Sequence, residues 1–162
     1  MKVHVANRSP VPTSSLVDRS FALNRLSEFW SSADFFVVSV PSNADTVGMV
    51  NVESFAAMRA SAVIMNVGRG PTIDEQSLYA ALKDRRIAGA VIDTWYNYPS
   101  PNHPVTLPSK FPFHELPNVV MTPHMSGWTT GTINRRRHTI ADNISRRAAG
   151  RPCVNVVRPA RS

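Results

Sequence analysis

The 162-residue sequence predicts an α/β fold built on a mostly parallel sheet. Three observations predict it. Strand-sized apolar runs alternate with short helical patterns along most of the chain. The run at 34–40 (Phe35, Phe36, Val37, Val38, Val40) is apolar on both faces, which suits a strand covered from both sides. Polar residues or glycines follow the runs, at Asn7-Arg8-Ser9, Pro41-Ser42, Gly68-Arg69-Gly70, Asp93 and Thr122-Pro123-His124. In open parallel sheets ligands bind beyond the carboxyl ends of the strands, so these residues mark the expected crevice.

The elements follow in order. Residues 2–6 alternate and read as a strand, and 9–15 form a turn-rich connector. Leu26 and Trp30, four apart, suggest a short helix over 24–31. Pro41 ends the strand at 34–40. A brief helix at 52–58 precedes a buried strand at 62–67 and a tight loop at 68–71. Asp74 is placed to cap a helix reaching about Arg85, with Leu78, Ala81 and Leu82 at helical spacing. A strand at 88–92 carries Asp93 at its end. Residues 94–117 hold six of the 13 prolines and read as a long loop. After a strand at 119–121, residues 129–149 form an amphipathic helix with Ile133, Ile140, Ala141, Ile144 and Ala148 on one face. Gly150 ends it, and 154–157 read as a last strand.

Composition narrows the function classes. At 43% hydrophobic and 18% charged the chain can bury a core. No apolar run approaches the roughly 20 residues of a membrane helix, and the N-terminus turns polar too early for a signal peptide. Cys153 is the single cysteine, so neither an internal disulfide nor a metal-ligand spacing arises; no metal is expected. A cytoplasmic protein is the expectation. The net charge of +7 is localised: residues 1–133 balance ten basic against ten acidic groups, and 134–162 set eight arginines against Asp142 alone. Arg135-Arg136-Arg137 and Arg146-Arg147 lie on an amphipathic helix without aromatic residues among them, so they read as a solvated face and not as a nucleic-acid site.

Five segments, in order and at their spacing, carry a resemblance. They are Ala33-Asp34-Phe35-Phe36-Val37-Val38 through Val40-Pro41; Asn66-Val67-Gly68-Arg69-Gly70; and Ala88-Gly89-Ala90-Val91-Ile92-Asp93. Leu116-Pro117-Asn118-Val119-Val120-Met121-Thr122-Pro123-His124 and Gly150-Arg151-Pro152 leading into Asn155-Val156-Val157 complete the set. Residues 33–157 resemble the C-terminal half of the D-isomer-specific 2-hydroxyacid dehydrogenases. The resemblance implies a partial doubly wound Rossmann sheet that binds NAD, and hydride transfer between the nicotinamide and a 2-keto or 2-hydroxy acid. It implies an incomplete dinucleotide-binding domain over 1–127. Residues 128–162 would be the C-terminal segment of a substrate domain that is largely absent. It also implies a homodimer in the full-length protein.

Residue by residue, Arg69 resembles the arginine that holds the substrate carboxylate and keto oxygen, a task for a rigid cationic fork. His124 resembles the general acid/base, for which imidazole titrates in the right range. Asp93 resembles the carboxylate facing the nicotinamide carboxamide. Val40, Pro41 and Thr46 resemble the stretch beside the nicotinamide ribose. Val67 and Gly68 would add backbone contacts, and Gly127 would leave room near the cofactor. His4, His103, His114 and His138 have no comparable setting.

Two departures stand out. Family members usually carry a glutamate five residues beyond the Asp93 position, where it holds the histidine; here that residue is Tyr98, which is taken into the catalytic set. Tyrosine can hydrogen-bond to His124 but brings no negative charge at neutral pH. The seven glycines also form no Gly-x-Gly-x-x-Gly, so no pyrophosphate cradle is present. The chain is expected to begin at the second strand of the nucleotide-binding domain. After that strand NAD-specific members carry an acid, whereas here Arg8 and Ser9 occupy the ribose position. Arg8 is either a partner for the 2′-phosphate of NADP or a solvated loop residue. Two functions follow from different classes: a fragment of an NAD(P)-dependent oxidoreductase, or a catalytically inactive remnant or partner subunit.

Overall fold

Parallel pairing organises the chain, because each apolar strand is joined to the next by a crossover and not by a hairpin. The computed structural model describes residues 1–157. Strand β1 (His4–Ala6) pairs in parallel with β2 (Arg19–Phe21). Helix α1 (Leu26–Trp30) leads to β3 (Phe35–Val38), and α2 (Val52–Ala57) to β4 (Val63–Asn66). Helix α3 (Glu75–Lys83) leads to β5 (Gly89–Ile92), and the proline-rich loop to β6 (Val119–Met121). The four later strands form one parallel sheet in the order β3-β4-β5-β6. Helix α4 (Thr130–Ala148) follows.

Local chemistry sets the helix starts. Asn51 and Ser54 form a reciprocal capping box at α2, Asp74 accepts the Ser77 N–H at α3, and Thr129 accepts that of Thr132 at α4. Gly150 takes a positive φ of 66° just past α4, where a side chain would be strained.

The register divides the four-stranded sheet into two unlike faces. Phe36, Val38, Ile64, Ala90 and Ile92 point to the helices and form the core with Trp30, Phe55, Leu78 and Leu82. Edge-to-face contacts among Phe21, Phe29, Trp30 and Phe36 extend this core toward β2. The opposite face is bare: Phe35 is 76%, Val37 61% and Val120 57% exposed. The both-face coverage expected for 34–40 is thus realised on one face only, because α1, α2 and α3 pack beside one another on the same side.

Two further expectations change. Residues 154–157 form no strand. Asn143 takes up the backbone of Val154 through both its side-chain oxygen and nitrogen, and Asn155 turns into the left-handed region. Strand β2, within what read as irregular chain, is missed because Arg-Ser-Phe carries no alternation; its parallel pairing to β1 and the burial of Phe21 make it.

The chain divides into two units, residues 1–124 and 125–162. The last five residues of the segment 128–162, Arg158 and Arg161 among them, lie outside the described residues. In the second unit α4 buries no residue, and Ile140 and Ile144 stay 61% and 66% exposed. No helix among the described residues is long and apolar enough to cross a membrane.

Candidate active site

The carboxyl end of β4 is built by Asn66. This last strand residue is 1% exposed, and its side chain folds over the following loop. Its Nδ2 donates to the Arg69 carbonyl at 3.0 Å, and its Oδ1 accepts the Gly68 N–H at 3.1 Å. The Thr72 hydroxyl donates to the same Arg69 carbonyl at 2.6 Å. The flanking glycines are steric requirements. A Cβ on Gly68 would stand 2.7 Å from the Val40 carbonyl oxygen, and one on Gly70 would collide with the Trp95 carbonyl. Gly68-Arg69-Gly70 is therefore wedged between the ends of β3 and β5, with the Arg69 side chain exposed and its Nη1 donating to the Gly68 carbonyl at 2.7 Å.

The ends of β5 and β6 are stitched together next to it. Thr122 donates its N–H to Ile92 at 3.0 Å and its hydroxyl to Asp93 Oδ1 at 2.6 Å. Buried Trp95 donates its indole N–H to the Thr122 carbonyl at 2.9 Å. The Trp95 backbone N–H donates to the Tyr98 hydroxyl at 3.0 Å, and that hydroxyl lies 3.0 Å from His124 Nδ1. His124 has a φ of 57°, an uncommon conformation for a residue with a side chain. Asp93 itself is only 2% exposed, which confines any ligand contact to a small part of its carboxylate.

A cavity of about 580 Å³ lies between β1 and β3. Arg8, Val40, Pro41 and Thr46 all line it, so four of the expected cofactor residues share one cleft. Thr46 is fixed there by donating to the Pro41 carbonyl at 2.6 Å. Ser9 is exposed but is not part of the lining. The N–H groups of Val67 and Gly68 both donate to the Val38 carbonyl, so a ligand contact from there runs through carbonyl oxygens. Gly127 belongs to the second unit, where a Cβ would meet nothing within 4 Å.

Arg69 and the Tyr98–His124 pair thus sit at the same carboxyl end of the parallel strands, linked through Gly70, Trp95 and Tyr98. Sequence reading missed Asn66, Thr72 and Thr122 as positioning residues. A polar residue closing an apolar strand just before Gly-Arg-Gly was the available signal for Asn66. No group of three or more His, Cys, Asp or Glu suited to a metal occurs among the described residues.

A parallel sheet with loops converging on a histidine, a loop arginine and an adjacent cleft defines a dehydrogenase-like nucleotide-binding domain. Residues 1–126 match the family described as D-isomer specific 2-hydroxyacid dehydrogenase, NAD binding domain, and the chain belongs to that family. It is 37% identical over 127 residues to a glyoxylate/hydroxypyruvate reductase B of Enterobacter agglomerans, covering 78% of this chain and 37% of the relative. A D-isomer specific 2-hydroxyacid dehydrogenase from Xanthobacter autotrophicus superposes with a TM-score of 0.74 at 32% identity, over 95% of this chain and 48% of that one. An NADPH-dependent glyoxylate/hydroxypyruvate reductase from Sinorhizobium meliloti, in complex with NADP and malonate, gives 0.76 at 26% identity, over 99% and 48%. The chain spans about half or less of the length of these relatives. The α/β parallel-sheet expectation holds, and the structural neighbours are Rossmann-type dehydrogenases.

Proposed function

We propose that this chain supplies the nicotinamide side of an NAD(P)-dependent oxidoreductase acting on small 2-keto or 2-hydroxy acids of the glyoxylate and hydroxypyruvate kind. The observation that carries this reading is the placement of His124, held by Tyr98, at the same carboxyl end of the strands as the clamped Arg69 loop. The cleft residues fit one end of the cofactor: Val40, Pro41 and Thr46 offer an apolar wall with a fixed hydroxyl, and Arg8 offers a cation. The absence of an acid in Asn7-Arg8-Ser9 supports a 2′-phosphate partner, hence NADP beside NAD. A bound reduced nicotinamide supplies the hydride. Arg69 binds the carboxylate of the keto acid and orients its carbonyl. His124 gives a proton to the oxygen as charge builds on it. Cytoplasmic location and a homodimer of the whole protein belong to the same proposal.

The test is oxidation of NADH or NADPH by the complete gene product with glyoxylate and hydroxypyruvate. Turnover with neither cofactor on any small 2-keto acid overturns it. A second reading, an inactive remnant or partner subunit, is supported by the bare face at Phe35, Val37 and Val120. It predicts a stable complex without turnover.

A further inference from the structure

We infer that Tyr98 is a positioning residue that selects the tautomer of His124, holding the proton of the neutral ring on Nε2. The inference deepens the proposed function and rests on that reading for its catalytic meaning, but its chemistry stands on the local geometry. A backbone N–H can only donate, so the 3.0 Å contact from Trp95 makes the Tyr98 oxygen an acceptor. A phenol has one proton to give. His124 Nδ1, also at 3.0 Å, is the acceptor placed to receive it. A hydroxyl that already accepts a hydrogen bond is polarised into a better donor, so the two contacts reinforce each other in the direction Trp95 N–H to Tyr98 O–H to Nδ1. Nδ1 then keeps its lone pair, and the ring proton lies on Nε2.

The anchors of this relay are fixed. Trp95 is 5% exposed and tied through its indole to Thr122, two residues before His124. The left-handed φ at His124 sets the direction in which its Cβ leaves the chain, and the Tyr98 contact holds the ring. A carboxylate at position 98 would do the opposite, because it only accepts and therefore draws the proton to Nδ1. The exchange of an acid for tyrosine thus reverses which ring nitrogen carries the proton when the imidazole is neutral. Nε2 makes no hydrogen bond to another described residue. The neutral ring therefore offers a substrate oxygen an Nε2–H hydrogen bond, while transfer of a proton to that oxygen uses the imidazolium, which carries a proton on each nitrogen and returns to the Nδ1-protonated or Nε2-protonated neutral ring.

Nitrogen NMR of the chain labelled with ¹⁵N-histidine, followed with rising pH until the ring signals stop moving, reads the tautomer of the neutral ring directly. The His124 signals are assigned by their loss in His124→Gln. The expected result is a pyrrole-like Nε2 and a pyridine-like Nδ1. Tyr98→Phe should move both signals toward intermediate values, the mark of exchanging tautomers. Tyr98→Glu should shift the pyrrole-like character to Nδ1. A wild-type spectrum with the proton on Nδ1 overturns the inference without reference to any variant. Signals unmoved by Tyr98→Phe, in a variant with native tryptophan fluorescence, overturn it too. Failure of the hydride-transfer assay leaves this readout intact, so the two can fail separately.

Discussion

His124 and Arg69 owe the roles proposed for them to their settings. Under the proposed function, His124→Ala should lower kcat by about 10²–10⁴-fold, the usual worth of a positioned acid/base group. Arg69→Ala should lower kcat/KM with a clear rise in KM, because the substrate loses its carboxylate partner in the ground state as well. Steady-state kinetics separates the two, and full activity in His124→Ala sinks the assignment. Tyr96 makes a pH prediction. Burial, with the Glu75 and Asp74 carboxylates adding to it, pushes its phenol well above the usual range. The folded chain therefore holds this proton after the unfolded chain has lost it. The stabilisation is complete below about pH 10 and declines above it, by about 1.4 kcal/mol per pH unit. Urea unfolding between about pH 9 and 11 should show a shallower decline in Tyr96→Phe; equal slopes would count against it.

Strand ends and loops decide the site at the next scale. Short continuous apolar runs mark β3, β4, β5 and β6, and helical spacing of apolar residues marks α4. They do not mark the loop that follows β4, whose shape depends on a buried amide. Removing that amide in Asn66→Leu leaves the Arg69 carbonyl and the Gly68 N–H each one partner short. The expected loss is about 1–3 kcal/mol of unfolding free energy, measured by urea titration. A change within 0.3 kcal/mol would show that the loop holds its shape without Asn66. The missed strand β2 teaches the same lesson from the other side. Its residues have no strand pattern of their own, and only pairing with β1 makes them a strand.

The four-stranded sheet of the first unit carries one covered face and one bare face. Phe35, Val37 and Val120 share a side of the sheet, and burying a large apolar side chain is worth about 1.5–3 kcal/mol. The 162-residue chain should therefore self-associate in light scattering and bind a dye for exposed apolar surface. Phe35→Thr with Val37→Thr should reduce both with little loss of stability, since neither side chain is buried. A monodisperse wild-type monomer that binds no dye contradicts this. Under the proposed function the cleft at Arg8, Val40 and Thr46 would meet the cofactor, and the sequence holds no Gly-x-Gly-x-x-Gly to cradle the pyrophosphate. Calorimetric titration of this chain should show weak or undetectable binding of NADH and NADPH. Micromolar affinity for either would show that the cleft suffices alone.

The order of residues along the chain determined the alternation of strands and helices, the parallel sheet and the family. It also marked Arg69, Asp93 and His124 at strand ends, because periodicity and end position are local properties. Tertiary structure decided what those residues touch. Tyr98 lies 26 residues from His124 in sequence yet shares a hydrogen bond with it. Asn66 acts through a loop whose tightness comes from Val40 and Trp95, which lie just past the ends of the neighbouring strands β3 and β5. Such contacts depend on strand register and on which side the helices pack, and both follow from burial summed over many distant residues.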